Sequence, residues 1–598
     1  MTLWAGVYAR DPRGQIPPAF ETELSRALSR APNERVHSTR FDRAVIVHAE
    51  LGAVPSRSVR SDPTSMTVVA GDPFLATRSV GADRDGDLTA LHDAWNRGDI
   101  SVTARTAGTF AAIHYDDRAR TLTLIADKLG VHPIYFAVAD DVVVVANALR
   151  IIEATPSVRK VMDVRGAVES VALGYPLADR TVYRDVFAIR DGEIVTFRDR
   201  AVERRRYWCI ADVAEDRADL DEAARRAHAA FRQAVSRRAG SDRRAVAFLS
   251  GGLDSRCVVA ELCQHGIEVQ TFNFANEGTQ DQLLGDAFAG VTGTLHVRTP
   301  RPFGPVRWSR LMAERWASSP HRARHPVERP GMIWSGDGGS VGFGFVGVYP
   351  AVIALLRAGK RDQAVEQYCV EHGISLPLRV FRRRIASELR DILHVGLREA
   401  FDEARSAREA GCDLYVFRMQ HDQRRHMVPH FEDADLHRLE LHLPFFDADL
   451  IEVIAATPAD YGVGHRLYNA ALQFFPPVVR EVPWQTYPGH VPCPLPLPDV
   501  AIDQWGDDQN DLMRRRRQRS ILREATNLAT RLDFPSPLLD RRYVIAAGIL
   551  HWLGRADYSY VMDYATTFSA LWGVSQRRWS LDTMRPSKAT TAAQSTNP

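Results

Sequence analysis

The stretch Ser250-Gly-Gly-Leu-Asp-Ser255 constrains the fold of this chain more than any other feature of its sequence. It follows the short apolar run 245–249 and precedes the helical pattern 256–265. A strand, a glycine loop and a helix in that order open a parallel α/β unit. The glycines let backbone N–H groups approach an anion, and the helix directs the positive end of its dipole at the same point. We therefore predict a phosphate-binding loop formed by Phe248, Ser250, Gly251, Gly252, Leu253, Asp254 and Ser255.

Asp254 lies inside this loop, where its carboxylate would repel a bare phosphate. A divalent cation between the two, most simply Mg²⁺, removes the repulsion. The loop lacks the Gly-Lys-Ser/Thr ending of a Walker loop. The sequence therefore predicts a different class of nucleotide site.

Composition narrows the functional classes. The 598 residues are enough for two or three domains, and 76 basic against 74 acidic residues give a net charge of +2, which argues against nucleic acid as a main partner. Four of the basic residues are lysines, so a mechanism that needs lysine has few to use. The six cysteines show no metal-ligand spacing, and no signal peptide or membrane span is evident. We expect a soluble, cytoplasmic protein that binds neither membrane nor nucleic acid.

Patterning along the chain predicts two domains and a tail. Short alternating strands with Asp, Gly and Pro turns are typical of residues 1–210, which we expect to form a mixed-sheet domain. Alternating strands and helices from about 215 predict a doubly wound sheet, and the pattern beyond 345 is mostly helical, so residues 211–586 form the second expected domain. Residues 587–598 are small and polar and are predicted to be disordered. The basic run Arg514–Arg519 is either a solvated helix face or a surface for an anionic partner.

Four stretches together resemble the asparagine synthetase family of PP-loop ATP pyrophosphatases. They are 108–116 (GTFAAIHYD) with 126–135 (ADKLGVHPIY), the loop 250–255, the second glycine loop 335–339 (SGDGG), and 440–447 (ELHLPFFD). The resemblance implies an α/β protein with an N-terminal Ntn-type αββα sandwich of the glutaminase kind and a C-terminal doubly wound PP-loop synthetase domain with a helical extension. It also implies ATP and Mg²⁺ as cofactors, an acyl adenylate, and AMP and pyrophosphate as products.

One departure from the family concerns the source of nitrogen. Glutamine-hydrolysing members use an N-terminal cysteine, but the family register puts Ala5-Gly6-Val7 at that place, and the first cysteine is Cys209. Thr2 lies out of register as a substitute. The resemblance therefore implies an inactive glutaminase domain and an amine that arrives with the substrate. Among branches without the cysteine, the chain looks most like the lasso peptide macrolactam cyclases.

A second departure concerns the second glycine loop, which in the family lies near AMP. Its first residues, Ser335 and Gly336, are expected to contact the nucleotide, but Ser340 replaces the family's second metal aspartate. Asp337 falls where relatives carry a Glu or Tyr that assists amine deprotonation. We therefore predict that Asp254 and Asp337 hold the metal and that Asp337 is also a candidate base, the alternative being that Asp337 caps a turn.

Relatives also use a lysine after the P-F-x-D motif to stabilise the reacting phosphorus and acyl carbon. No lysine lies between Lys360 and Lys588, so Arg466 is the best candidate to replace it, with His465 second. A surface role is the alternative for Arg466. Glu440, which opens the last motif, completes the set of expected catalytic residues.

The resemblance implies a specific reaction. The chain would adenylate an Asp or Glu side chain of a ribosomal precursor core peptide, and the peptide's own N-terminal amine would displace AMP. A leader-binding protein and a leader peptidase are then expected partners. Three alternatives stay open: β-lactam synthetase-like closure or another small-molecule amidation, a tRNA-modifying PP-loop enzyme, and a degenerate member that only binds peptide or nucleotide.

Overall fold

A computed structural model describes residues 2–31, 34–51, 57–75, 83–299, 332–498 and 511–581. The tail predicted at 587–598 lies outside these residues. The strands are β1 (Thr2–Ala9), β2 (His37–Arg40), β3 (Ala44–Glu50), β4 (Val59–Asp62), β5 (Ser65–Gly71), β6 (Phe110–Asp116), β7 (Thr121–Ala126), β8 (Tyr135–Ala139), β9 (Val142–Ala146), β10 (Met162–Asp163), β11 (Val186–Ala188), β12 (Glu193–Arg198), β13 (Ala201–Arg206), β14 (Arg244–Phe248), β15 (Glu268–Asn273), β16 (Leu295–Arg298), β17 (Met332–Trp334), β18 (Glu440–His442) and β19 (Trp579–Ser580).

The helices of the described residues are distributed unevenly, and 14 of the 21 follow β17 in the chain. They are α1 (Pro18–Leu28), α2 (Arg84–Asn96), α3 (Leu149–Glu153), α4 (Val164–Leu173), α5 (Leu220–Ala239), α6 (Leu253–Gln264), α7 (Gln280–Thr292), α8 (Pro350–Arg357), α9 (Arg361–Glu371), α10 (Arg383–Leu389), α11 (Ile392–Glu403), α12 (Asp413–Arg418), α13 (Arg424–His426), α14 (Val428–Glu432), α15 (Ala434–His437), α16 (Ala448–Ala455), α17 (Ala459–Gly462), α18 (Arg466–Ala471), α19 (Asp511–Thr530), α20 (Arg541–Trp552) and α21 (Ser559–Val574).

The N-terminal region is a sandwich of two six-stranded antiparallel sheets. One has the order β11-β8-β9-β1-β3-β2 and the other β13-β12-β7-β6-β5-β4. Successive side chains of each strand point to opposite faces of its sheet. Ile113 and Tyr115 of β6 therefore face the core between the sheets, whereas Ala112 faces the outer layer beside α2. Helix α1 packs on the outer face of the first sheet. The predicted αββα arrangement is confirmed.

The third sheet is parallel, with the order β16-β15-β14-β17-β18. The chain runs outward from β14 to one edge and then returns to the other side of β14, so the strand order reverses between β14 and β17. In doubly wound sheets, ligands bind at this reversal, outside the carboxyl ends of the strands. The glycine loops predicted at 250–255 and 335–339 follow β14 and β17 respectively, and therefore lie at that point.

Ion pairs and buried contacts join the helical region to the sandwich. Lys128 Nζ lies 2.8 Å from Glu452 Oε1, and Arg424 donates to the carbonyl of Ile189 at 2.9 Å. One apolar cluster also includes residues on both sides of the boundary predicted near 210. Among the described helices, none is both long and apolar enough to cross a membrane.

Candidate active site

The phosphate loop connects the carboxyl end of β14 to the first turn of α6. Its N–H groups are partly used internally: Ser250 N donates to Ser255 Oγ at 2.9 Å, and Gly252 N to Ser250 Oγ at 3.2 Å. Gly252 is the N-cap residue of α6, and no side chain caps this helix. The N–H groups of its first turn therefore remain available to an anion, as the loop chemistry predicts.

The two glycine loops pack directly on each other. A Cβ added to Gly336 would lie 2.7 Å from the backbone nitrogen of Ser255, and one added to Gly339 would lie 2.5 Å from Cγ of Asp254. Real Cβ atoms do not approach other atoms so closely, so glycine is required at both positions. The second loop thus borders the first around Asp254.

Asp254 lines a cavity of about 180 Å³ together with Ser250, Gly252, Ser340 and His465. Burial raises the pKa of its carboxyl group to about 6, although the Ser340 hydroxyl, which donates to Oδ2 at 2.6 Å, acts in the opposite direction. Tyr487 in turn donates to Ser340 Oγ at 3.1 Å. Ser340 therefore orients the Asp254 carboxylate at the position where the family's second metal aspartate was expected.

Asp281 is a site residue that the sequence analysis missed. Its Oδ1 accepts the N–H of Gly251 at 2.6 Å, and it lines the same cavity as Asp254. It is the second residue of α7, 30 positions from Gly251. Nothing local in the sequence marks such a contact.

Asp337 interacts with a second residue that sequence reasoning did not identify. His426 Nε2 lies 2.9 Å from Asp337 Oδ1, and the Ser335 hydroxyl donates to Asp337 Oδ2. Burial acts to raise the pKa of Asp337, but His426 and Ser335 lower it below its ordinary value; the pKa of His426 is raised by Asp337 against the opposing effect of burial. The pair is an aspartate–histidine dyad at the edge of the site.

The two residues predicted to replace the family lysine point in different directions. His465 is buried and lines the cavity, and it shares a hydrogen bond with His490 between their Nδ1 atoms. Burial, reinforced by His490, lowers the pKa of His465 to about 3, so its ring is neutral. Arg466 is exposed and donates to the carbonyl of Asp460 at 3.0 Å. The structure brings His465 into the cavity and does not bring Arg466 there.

Two further predicted residues lie outside the cavity lining. Phe248 ends β14 and packs edge-on against Phe274, with 5.7 Å between ring centroids. Glu440 is buried at the first position of β18, in register with Met332, whereas the glycine loops follow the ends of their strands. We infer that both residues shape the sheet beneath the site and do not touch its contents.

Arg256, directly after the phosphate loop, is fully buried and has no carboxylate within 4 Å among the described residues. Its guanidinium donates to the carbonyls of Gly252 at 3.1 Å, Val482 at 2.7 Å and Pro483 at 2.8 Å. Burial lowers its pKa to about 10, which still leaves it charged at neutral pH. A positive charge therefore lies behind the loop, without a protein anion to neutralise it.

The donor set fits Mg²⁺ bound together with a polyphosphate. In the described ranges no cluster of three or more His, Cys, Asp or Glu side chains could hold a metal alone. Mg²⁺ typically takes one or two protein carboxylates plus phosphate oxygens and water. Asp254 and Asp281 both line the cavity, and Asp337 is close enough to raise the pKa of Asp254, but its own hydrogen bonds go to Ser335 and His426.

Comparison with known families yields two domain matches. Residues 77–208 match the model of a glutamine amidotransferase domain, and residues 226–300 match the model of asparagine synthase. The chain thus carries an amidotransferase-type domain followed by an asparagine synthase domain. The second match includes the phosphate loop and Asp281.

Individual relatives are distant. The chain is 23% identical over 47% of its length to asparagine synthetase [glutamine-hydrolyzing] 3 of Bacillus subtilis, covering 46% of that protein. It is 28% identical over 33% of its length to a putative asparagine synthetase of Methanocaldococcus jannaschii, covering 39% of it. The match therefore spans less than half of these relatives. A solved glutamine phosphoribosylpyrophosphate amidotransferase of B. subtilis is 12% identical, with a TM-score of 0.23 over 46% of this chain and 67% of that one.

Proposed function

We propose that this chain, whose two domains are those of the asparagine synthetase family, is an ATP-dependent ligase that closes a macrolactam in a ribosomal peptide. The observation that carries the proposal is the contact of the two glycine loops around Asp254 at the strand reversal of a parallel sheet. One loop offers N–H groups to phosphates, and the other borders the same space, where a carboxylate can meet the α phosphorus.

In the first step a side-chain carboxylate of the peptide attacks the α phosphorus of ATP, and pyrophosphate leaves. The first-turn N–H groups of α6 and the buried charge of Arg256 favour the anionic phosphates. Asp254, with Asp281 or Asp337 as a second ligand, would hold Mg²⁺, whose charge screens the phosphates from these carboxylates. Neutral His465 supplies a hydrogen-bond donor or acceptor. The exposed position of Arg466 argues against the role that the sequence predicted for it.

In the second step the N-terminal amine of the peptide attacks the acyl carbon and expels AMP. The amine must lose a proton, and the Asp337–His426 dyad is the base that we propose. Asp337 holds the His426 ring and stabilises its protonated form, since the carboxylate raises the pKa of His426. The remaining task is positional, because the enzyme must keep amine and adenylate together and keep water out.

The N-terminal domain supports an amine supplied by the substrate. Ala5, at the register position of the glutaminase cysteine, is fully buried in the middle of β1. The Thr2 hydroxyl donates to Ser58 Oγ at 2.5 Å and is buried. We propose that this domain is an inactive glutaminase. Free glutamine would then not support the reaction.

The test uses the purified chain with ATP, Mg²⁺ and a panel of synthetic linear peptides that differ in length. Each peptide has a free amino terminus and an Asp or Glu several residues along. We expect AMP and pyrophosphate, with a product one water lighter than the peptide. An N-acetylated peptide should give no ring, and an Asp-to-Asn or Glu-to-Gln peptide should give no AMP. ADP as the product, or ring formation that needs glutamine, contradicts the proposal. Closure of a small β-amino acid in place of the peptide would support the β-lactam alternative.

A further inference from the structure

A second cavity lies on the outer face of the second sheet in the N-terminal domain. It encloses about 260 Å³ beside the end of α2 and shares no lining residue with the cavity at the phosphate loop. A cavity of this volume has room for a ligand of the size of an amino acid.

Strand register explains the polar floor of this cavity. His114 of β6 pairs with Thr123 of β7, Thr123 pairs with Thr196 of β12, and Thr196 pairs with Glu203 of β13. Partners in adjacent strands share one face of a sheet, so these four side chains form a single row across it. Ile125 and Ile194, which pair with each other, form the apolar row alongside, and Trp95 of α2 adds an aromatic wall.

A hydrogen-bond relay joins His114 to His92 through Thr67. Thr67 Oγ1 lies 2.8 Å from Nδ1 of both His92 and His114, but its single proton can be donated to only one of them. His92 Nε2 lies 3.1 Å from the Asn96 amide nitrogen and 3.7 Å from Asp62 Oδ2, so it has a donor and an acceptor beside it. The relay holds the His114 ring in place and is compatible with either tautomer of His114.

The Nε2 atom of His114 lacks a hydrogen-bond partner. His114 is 4% exposed, and within the described residues no group forms a hydrogen bond with its Nε2. Burial lowers the pKa of His114 to about 4, so the ring stays neutral at physiological pH. A buried polar atom without a partner is costly, so a polar group supplied by a ligand would be favoured at this point.

Charged groups of both signs surround the opening. The side chains of Arg198 and Arg205 form no ion pair or hydrogen bond with any residue that the structure describes. Asp116, two residues from His114 on the same face of β6, accepts the N–H groups of Arg118 and Ala119 through Oδ1, which leaves Oδ2 unused by them. A ligand that carries both a carboxylate and an ammonium group would complement this arrangement.

We propose that this cavity binds a free aliphatic α-amino acid. Its carboxylate would pair with Arg198, its ammonium group would face Asp116, and one of these two polar groups would form a hydrogen bond with Nε2 of His114. Its side chain would contact Ile194 and Trp95. The site lies on the outer face of the second sheet, whereas β1, which carries the residues that replace a glutaminase centre, belongs to the first sheet. It is therefore a separate binding site within the amidotransferase-type domain.

The experiment measures binding to the full chain without ATP or peptide, so its result is independent of the proposed ligase activity. L-leucine, L-isoleucine and L-valine are added separately, and calorimetry and the melting temperature report binding. Isoamylamine, which lacks the carboxylate of leucine, and 4-methylpentanoate, which lacks its ammonium group, are the matched fragments. We expect at least one of the three amino acids to bind in the millimolar range or tighter and to raise the melting temperature, and each fragment to bind less well.

Two variants test the assignment of the charged groups. Arg198→Gln should weaken binding at least about tenfold because it removes the carboxylate partner, and Asp116→Asn should weaken it through the ammonium group. Arg200→Gln is the control, since Arg200 lies near the same hairpin but pairs with Asp141 and does not line the cavity. The proposal is overturned if none of the three amino acids binds, if a fragment binds equally well, or if Arg198→Gln and Asp116→Asn both bind like the control.

Discussion

His426 Nε2 lies 2.9 Å from Asp337 Oδ1, across 89 positions of sequence, and this contact links the second glycine loop to the segment that packs against the N-terminal domain. Neither residue alone is a strong base at neutral pH, because the ordinary pKa values of a carboxyl group, about 4, and of an imidazole, about 6.5, both lie below 7. Together they form a proton acceptor whose protonated form the carboxylate stabilises.

The first prediction is that the dyad governs amide formation. Asp337→Asn and His426→Gln should each lower turnover by about 10²–10⁴-fold, the usual range for general base catalysis. Turnover of the wild type should rise with pH through a value above 6.5, the ordinary pKa of histidine, because the pKa of His426 is raised. This rise should be absent in His426→Gln. The measurement is the pH dependence of ring formation, with pyrophosphate release as the readout of the first step; near-normal turnover in Asp337→Asn removes the dyad from the mechanism.

The dyad should also appear in the pH dependence of stability. The contribution of His426, whose folded pKa is raised, is fully present below its unfolded pKa of about 6.5 and is lost as pH rises through the folded value. The contribution of Asp337, whose folded pKa is lowered, is present above its unfolded pKa of 3.8 and is lost as pH falls through the folded value. His426→Gln should therefore lower the melting temperature most between about pH 4 and 6.5. An equal difference at pH 9 would contradict the ion pair.

A second prediction concerns the contact between the glycine loops. Gly339→Ala would put a Cβ 2.5 Å from Cγ of Asp254, so the carboxylate or the loop must move. We expect overpacking to cost about 1–3 kcal/mol of unfolding free energy and pyrophosphate release to fall at least about tenfold. Gly290→Ala, in α7 with nothing within 4 Å of the added methyl group, is the matched control and should be neutral or slightly stabilising. Equal activity of the two variants would show that the loops tolerate separation.

Site residues that are close together in the sequence could be predicted from it, and those that only the tertiary fold brings together could not. The phosphate loop was predictable because its strand, glycines and helix are consecutive, and each step follows a local rule. Asp281 and His426 were not, since they reach the loops from 30 and 89 positions away and only the tertiary fold brings them there. The doubly wound order was predicted from the alternation of strands and helices, which the five-stranded parallel sheet confirms.

The choice between His465 and Arg466 shows a different limit. Gly464 and His465 both have left-handed backbone conformations, with φ of 67° and 64°. This geometry turns His465 toward the cavity and leaves the next residue exposed. A glycine in that region is expected, but a histidine is uncommon there. Charge and spacing in the sequence favoured Arg466, since the left-handed conformation of His465 could not be predicted from its side chain.

A third prediction follows from the pKa of Asp254. Its folded pKa of about 6 lies above the ordinary 3.8, so the ionised carboxylate destabilises the ligand-free protein above about pH 6, and the penalty vanishes as pH falls below 3.8. Asp254→Asn should therefore melt at a higher temperature than the wild type at pH 8, and the difference should shrink toward pH 4. The same variant should lose pyrophosphate release. Wild type and variant melting alike at pH 8 would mean that the carboxylate is better compensated than its burial implies.

The fourth prediction separates the charge of Arg256 from its hydrogen bonds. Arg256→Met removes both, so we expect the Kd for ATP to rise at least about tenfold, equivalent to about 1.4 kcal/mol. The carbonyls of Val482 and Pro483 would lose their buried donor, at about 1–3 kcal/mol each. Arg256→Lys keeps the charge but cannot reach both the loop and the segment 479–483, so its stability should fall while its ATP affinity stays closer to that of the wild type.

Calorimetric titration with ATP, together with the melting temperature of each variant, checks this distinction. A folded Arg256→Met protein that binds ATP like the wild type would show that the guanidinium stabilises the loop and does not contribute to ATP binding. If Arg256→Lys and Arg256→Met lose the same affinity, the hydrogen-bond geometry matters and the charge does not. We predict that the affinity for ATP decreases from the wild type to Arg256→Lys and then to Arg256→Met. This order requires that the phosphates of the nucleotide act as the counter-ion of a buried positive charge. The described residues offer that charge no carboxylate.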